Sequence, residues 1–193
     1  MMKRWSISGL RMPLLFLLAT MAAAVTLVQA QAVKEKGLPH TFREAGSGFS
    51  MAYPGDWAYQ SRFPHTVIFS GKKGQEARVT VGVQNLTSTK VPEGRYKDVE
   101  AVIAELENQL KAGKDVKVYN EKPFVYGKGG VTLQGKEFTA EYTYKNQRFR
   151  EWVIVMPRPD GTVFHNWFFL APANLYESNL GTAQAMLNSL ILF

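Results

Sequence analysis

The sequence contains no cysteine. That absence removes a disulfide framework, a thiolate nucleophile, thiolate metal ligands and an N-terminal cysteine able to carry lipid. Histidine is nearly as scarce: His40, His65 and His165 are the only three. Their spacing fits no zinc motif. No GxSxG or SxxK motif offers an activated serine, and no GxxxxGK[ST] or GxGxxG stretch offers a phosphate cradle. The run Gly127-Lys128-Gly129-Gly130 lies between apolar alternations and opens no helix, so it reads as a hairpin turn. The carboxylates, Asp56 and Glu141 among them, show no spacing that marks an acid–base pair. No enzyme activity, cofactor or metal is expected. A hydrolase would need His65 or His165 to meet an acid or a serine within hydrogen-bond reach in the folded chain.

Charge of one sign is also never concentrated. The chain carries a net +7, but no run of basic residues exceeds two. Three of the positive charges, Lys3, Arg4 and Arg11, precede the one long apolar stretch, Met12 to Val28. Small residues follow, with Val28-Gln29-Ala30 or Ala30-Gln31-Ala32 as cleavage sites. A basic start, an apolar middle and a small-residue exit describe a secretory leader over 1–30. The alternative is an uncleaved membrane anchor, although the stretch falls short of the roughly 20 residues that span a bilayer. The expected location is periplasmic or secreted, and the mature chain is not expected to span the membrane. Losing three cations leaves a scattered, modest positive charge, so no nucleic-acid partner is expected. About 160 residues remain, enough for one domain with a real core. A monomer is favoured.

Residues 31–47 are polar and glycine-containing, and read as a flexible lead. The domain proper then runs from 48 to 193. Phe49 to Tyr53 alternates, Pro54-Gly55-Asp56 turns, and Trp57 and Tyr59 resume the alternation. Thr66 to Ser70 is a second strand ending at the turn Gly71 to Gly74. Ala77, Val79, Val81 and Val83 mark a strand with one buried face. Asp98 then reads as a helix cap. Val99, Val102, Ile103, Leu106 and Leu110 form an amphipathic stripe, and Gly113 suits a left-handed stop. From Val116 to Leu170 the chain reads as an antiparallel meander, turned at 127–130, at Lys145-Asn146 and at 157–161. Its aromatic last strand, Val163 to Leu170, should be buried on both faces. Asn174 and Glu177 have the form of a capping box for a final helix with the seam Tyr176, Leu180, Ala183, Leu187 and Leu190. The order predicts an α+β fold: a central antiparallel sheet with helices packed on it.

Aromatics are what this composition does supply, at 12%. Trp57, Tyr59, Trp152, Phe164, Trp167 and Phe168 read as core at strand spacing, or as the lining of a pocket. Tyr142 and Tyr144, with Arg148 and Arg150 on the facing strand, read as a polar–aromatic surface for a protein partner, or as cross-strand stabilisation. The candidate ligand or partner surface is therefore Trp57, Tyr59, Tyr142, Tyr144, Arg148, Arg150, Trp152 and Trp167.

The run Phe49-Ser50-Met51-Ala52-Tyr53-Pro54-Gly55-Asp56-Trp57 resembles the F-S-x-x-Y-P-x-x-W opening of PsbP-like domains. Val67 to Gly71 resembles the strand that follows it. The helix from Asp98, and the closing stretch from Ala171 to Leu190, sit where that family has its helices. The resemblance covers roughly residues 48 to 192. It implies an α/β/α sandwich around an antiparallel sheet. The family includes extrinsic subunits of the photosystem II oxygen-evolving complex, the bacterial envelope protein DcrB and a Ran-binding nuclear protein. The implied function is that of a non-enzymatic accessory protein binding another envelope protein. The alternative is a carrier of a small apolar or aromatic ligand in an aromatic-lined pocket. None of that family's functional residues carries over by position.

Overall fold

The structure is a computed structural model that describes residues 37–44, 46–62, 65–71 and 78–193. The expected leader, residues 31–36 of the expected lead and the 72–77 part of the first hairpin lie outside these residues. In chain order the elements are β1 His40–Arg43, β2 Phe49–Tyr53, β3 Trp57–Arg62, β4 Thr66–Gly71, β5 Thr80–Thr87, α1 Val99–Leu110, β6 Lys114–Lys128, β7 Val131–Tyr144, β8 Gln147–Pro157, β9 Val163–Pro172, α2 Ala173–Ser189 and β10 Ile191–Leu192. Strands β3-β4-β5-β9-β8-β7-β6 form a seven-stranded sheet, and β1-β2-β10 form a second, smaller one. Every neighbouring pair is antiparallel. The antiparallel sheet with helices packed on it, predicted from element order, is observed, as is the sandwich that the PsbP-like resemblance implies.

Strand alternation divides the hydrophobic residues between the two faces of the large sheet. Phe138, Ala140, Val153, Val155 and Phe164 point to one face and pack with Val102 and Ile103 of α1. Phe69, Val81, Val83, Ile154, Trp167 and Phe169 point to the other. They share a larger cluster with Phe42, Phe49 and Met51 of the small sheet and Tyr176, Ala183 and Met186 of α2. β9 lies at the middle of the sheet and contributes to both clusters. This explains its near-continuous apolar sequence.

The sequence-local features formed as their chemistry dictates. Asp98 caps α1, its Oδ1 accepting from the Ala101 amide at 2.8 Å, a bond worth about 1 kcal/mol. Lys145 and Asn146 take φ of 48° and 63°, the geometry of a two-residue turn whose twist matches the strands it joins. Gly82 faces Phe168 across the β5–β9 pair. A Cβ there would lie 2.2 Å from the Phe168 ring, so only glycine lets the ring lie against the strand.

Three expectations fail for identifiable reasons. The lead at 31–47 is not loose throughout: His40–Arg43 is β1, paired to β2 from His40↔Tyr53 to Arg43↔Ser50. Its Phe42 is buried against Phe49 and Phe69, with ring centroids at 5.1 and 5.6 Å. Four residues of strand carry too little periodicity to declare themselves. Gly113 is not left-handed. Its amide closes the last turn onto the Leu110 carbonyl at 2.8 Å, and its missing side chain makes room for Tyr142, 3.2 Å from where a Cβ would stand. Asn174 does not cap α2. The helix follows β9 directly with Pro172 at the cap position and no side-chain cap bond. Proline has no amide to satisfy and presets φ, so the strand runs into the helix without a linker.

Candidate functional site

The predicted surface is split by strand parity. Tyr144 lies opposite Gln147 and Tyr142 opposite Phe149, whereas Arg148 pairs with Thr143 and Arg150 with Glu141. The tyrosines therefore share the α1 face and the arginines the α2 face. Trp57 and Trp167 are both buried in the core of the α2 face. Tyr59 is exposed and stands edge-on to Phe42 at 5.1 Å, its hydroxyl donating to Glu44 at 3.3 Å. Arg148, Arg150 and Trp152 come together, with Trp167 packed edge-on behind Trp152; the other four do not join them.

Around Arg150 and Trp152 the structure builds a cleft of about 390 Å3 between β6 and α2. Register shifts in β6, between Lys114 and Lys117 and between Tyr119 and Lys122, break its pairing with β7. Asn120 sits in the second shift with φ of 55°. Bulges of this kind bend an edge strand and often border functional sites. Glu141 is the electrostatic centre beside this cleft. Arg148 donates to its Oε2 at 2.6 and 3.2 Å, and Arg150 to its Oε1 at 2.8 Å. The Tyr119 hydroxyl donates to Oε1 at 3.0 Å. The two arginines and this hydroxyl hold the Glu141 carboxyl down at about 2. Arg150 also pairs with Glu177 of α2 and lies over the Tyr176 ring, 4.9 Å from its centroid. Deeper in, the Trp152 indole donates to Glu137 Oε2 at 2.9 Å, and Lys122 pairs with Oε1 of the same carboxylate at 3.0 Å.

The α1 face presents an apolar groove instead. Leu106 and Leu110 of α1, with Tyr142, Tyr144, Phe149 and Leu170 from three strands, enclose about 370 Å3. Tyr144 is half exposed at its rim, at 51%. Behind Tyr142 stands Glu151, bound only by that hydroxyl at 3.1 Å among the described residues. Burial without a cation pushes the Glu151 carboxyl up to about 7, against the opposing pull of the Tyr142 bond.

Among the described residues, neither histidine of interest forms a hydrogen bond or ion pair with an acid or a serine. His65 is exposed. His165 is fully buried, with Nδ1 2.7 Å from the Asn85 side-chain oxygen and Nε2 without a partner among the described residues. Burial, with Arg158 nearby, lowers its pKa to about 4, so the ring stays neutral across the physiological range. Among the described residues, no group of three His, Asp or Glu side chains could hold a metal ion, and no helix is long and apolar enough to cross a membrane.

Sequence reasoning missed Tyr119, Glu137 and Tyr176 as cleft residues and assigned Glu177 to a cap. The signal for Glu137 was available. A two-residue turn at Lys145-Asn146 forces Glu141 opposite Arg150 and Thr139 opposite Trp152. That places Glu137 two residues along on the same face. Nothing in the sequence announces the β6 bulge.

No family model matches the chain, and no curated protein matches it. Solved structures do. Over 81% of this chain and 93% of its own, the cyanobacterial PsbP (CyanoP) of Synechocystis sp. PCC 6803 superposes with a TM-score of 0.53 at 11% identity. LpqN of Mycobacterium tuberculosis, described as involved in cell envelope biogenesis, gives 0.53 at 13% identity over 79% and 89% of the two chains. The Ran-binding protein Mog1p of Saccharomyces cerevisiae gives 0.52 at 10% identity over 79% and 94%. With a seven-stranded antiparallel sheet between α1 on one face and α2 with the small sheet on the other, the chain has the PsbP-like fold.

Proposed function

We propose that this is an exported, non-enzymatic accessory protein that engages another protein of the bacterial envelope through the apolar groove beside α1. The observation that carries the reading is the groove itself. It combines a half-exposed tyrosine, a residue type that anchors protein interfaces, with an apolar lining that includes the partly exposed Leu106 and Leu110. The basic, apolar, small-residue pattern at 1–30 supports export. The fold supports an accessory role, since one solved structure of this shape is described as Ran-binding and another as involved in envelope biogenesis. Neither histidine is placed for catalysis, and the cleft carboxylates are held in ion pairs or hydrogen bonds. A photo-crosslinking residue in place of Tyr144 should yield one reproducible adduct from envelope fractions, lost with Leu110→Asp. Recovery of the bait alone, from a variant that is folded and exported, would sink the reading.

A second reading is a carrier of a small apolar or aromatic ligand. The groove favours it, because about 370 Å3 with few polar groups falls in the size range of ligand pockets. Trp57, Trp152 and Trp167 do not line this groove, so their quenching is a poor report on it. Native mass spectrometry of protein purified from the envelope should show a non-covalent adduct under this reading and bare protein under the first.

A further inference from the structure

We propose that the cleft between the β6 bulge and α2 binds a neutral, polyhydroxylated ligand of the pyranoside class. It lies on the opposite face of the sheet from the groove and does not depend on the function proposed there.

The argument begins with charge. The cleft is lined by Glu121, Lys122, Glu137, Arg150 and Glu177. Each of these charges already has a partner within the fold. Arg150 is shared by Glu141 and Glu177, Lys122 holds Glu137, and Lys136 holds Glu121. An anion entering the cleft would have to draw Arg150 or Lys122 away from its carboxylate, and a cation would have to displace one of them. Separating a half-buried pair leaves an uncompensated charge and is costly. A neutral ligand meets no such penalty.

What remains free is hydrogen-bonding capacity of both signs. Asn120, Thr139 and Gln184 line the cleft, and their side chains have no hydrogen-bond partner among the described residues. Each can donate and accept. The Glu137 oxygens each hold one donor, Trp152 Nε1 on one and Lys122 on the other, which leaves a lone pair on each. The ion pairs also fix these planar groups in position, so little side-chain entropy is lost when they bind a second partner. Hydroxyls are the ligand groups that match such a mixed set, because each one donates and accepts.

The third observation is aromatic. Tyr119, Trp152 and Tyr176 line the same cleft. Trp152 is pinned by Glu137 and edge-on to Trp167, with ring centroids 5.1 Å apart. Tyr176 is buried between Arg150 and Phe169, whose ring centroid is 4.7 Å away, so stacking on a ligand falls to Tyr119 and Trp152. A pyranose ring presents positively polarised C–H bonds on its flat face, and the negative face of an aromatic ring attracts them. A saccharide is the ligand class that joins such a face to a rim of hydroxyls. A volume of about 390 Å3 accommodates one or two sugar rings.

The test is a titration of the folded protein, followed by NMR at the Trp152 indole N–H and, so that variants lacking that group can be read, by isothermal titration calorimetry. The probes are methyl β-glucoside, N-acetylglucosamine and a β-1,4-linked disaccharide, with glucuronate and glucosamine as charged counterparts. The neutral sugars should shift the Trp152 resonance saturably. Trp152→Phe, which keeps a ring but loses the bond to Glu137, and Gln184→Ala, on the exposed side of α2, should each weaken binding about tenfold. Leu110→Asp should leave it unchanged. A parallel co-sedimentation with insoluble β-1,4 glycan separates a free sugar from a polymer as the source. Binding to either supports the class. Stronger binding of a charged sugar than of its neutral counterpart would overturn the charge argument. Absence of any shift at about 50 mM sugar, together with no co-sedimentation, would overturn the proposal.

Discussion

Glu141 and Glu151 stand ten positions apart in sequence and on opposite faces of one sheet, and they have been handled in opposite ways. Glu141 faces α2 and is clasped by two guanidinium groups and a phenol. Glu151 faces α1 and receives a single tyrosine hydroxyl. The first is held at about 2 and the second pushed to about 7. The same carboxyl thus becomes a permanent anion on one side and a titrating group near neutrality on the other. Around Glu141 the α2 face supplies cations; around Glu151 the α1 face supplies none. The contrast follows from their neighbours: arginines at Arg148 and Arg150 on one parity, Phe149 and Val153 on the other.

The bluntest way to break this contrast is to remove the core beneath the charged face. Trp57 is buried among the residues of the larger cluster, and no disulfide supports the fold. Trp57→Ala should cost about 3–5 kcal/mol, seen as a large drop in melting temperature. A mutant that melts like wild type would place Trp57 outside the structural core.

Next in size is Glu151→Gln, which keeps an acceptor for Tyr142 but cannot ionise. The folded protein holds the Glu151 proton up to about pH 7, whereas the unfolded chain releases it near 4.5. Stability is therefore highest below about 4.5 and falls as pH rises toward 7. The variant should match wild type near pH 4 and exceed it by at most about 3 kcal/mol above pH 7. Urea midpoints across that range measure the difference. Equal gains at both ends would mean that Glu151 is hydrated in the folded state.

Glu141→Gln sharpens the comparison from the other side. Its folded value lies below the unfolded 4.5, so the stability that it contributes is present above 4.5 and lost as pH falls toward 2. The variant should lose about 2 kcal/mol at neutral pH, since two arginines are left without their shared anion. Its acid limb should also be flatter than that of wild type. The smallest effect belongs to exposed His65: His65→Ala should change stability by less than about 0.5 kcal/mol, and a larger loss would reveal a contact this structure does not contain.

What could be read from the sequence was local. The Asp98 cap, the stripe of α1 and the turn at Lys145-Asn146 each depend on residues a few positions apart, and each formed as read. β1 went unread because Phe42 is buried by Phe49 and Phe69, partners that only tertiary structure supplies. The cap at Asn174 went wrong because Pro172 lets β9 flow into α2, which frees Glu177 to reach Arg150. The candidate site was half legible. Arg150 and Trp152 were chosen, but their grouping with Tyr142 and Tyr144 ignored the register that the adjacent turn imposes. Glu151 could not have been found this way, because its unusual behaviour comes from what α1 and the flanking strands exclude.

The small sheet sets an order of events. β2 is held on one side by β1 and on the other by Ile191 and Leu192. The Ala52 amide donates to Ser189 at 2.9 Å, and the Phe193 amide to the Gly48 carbonyl at 3.0 Å. The second edge of β2 therefore lacks its neighbour until residues more than a hundred positions later have been made. A chain emerging from the ribosome cannot close this layer early, and long-range closure of this kind is slow.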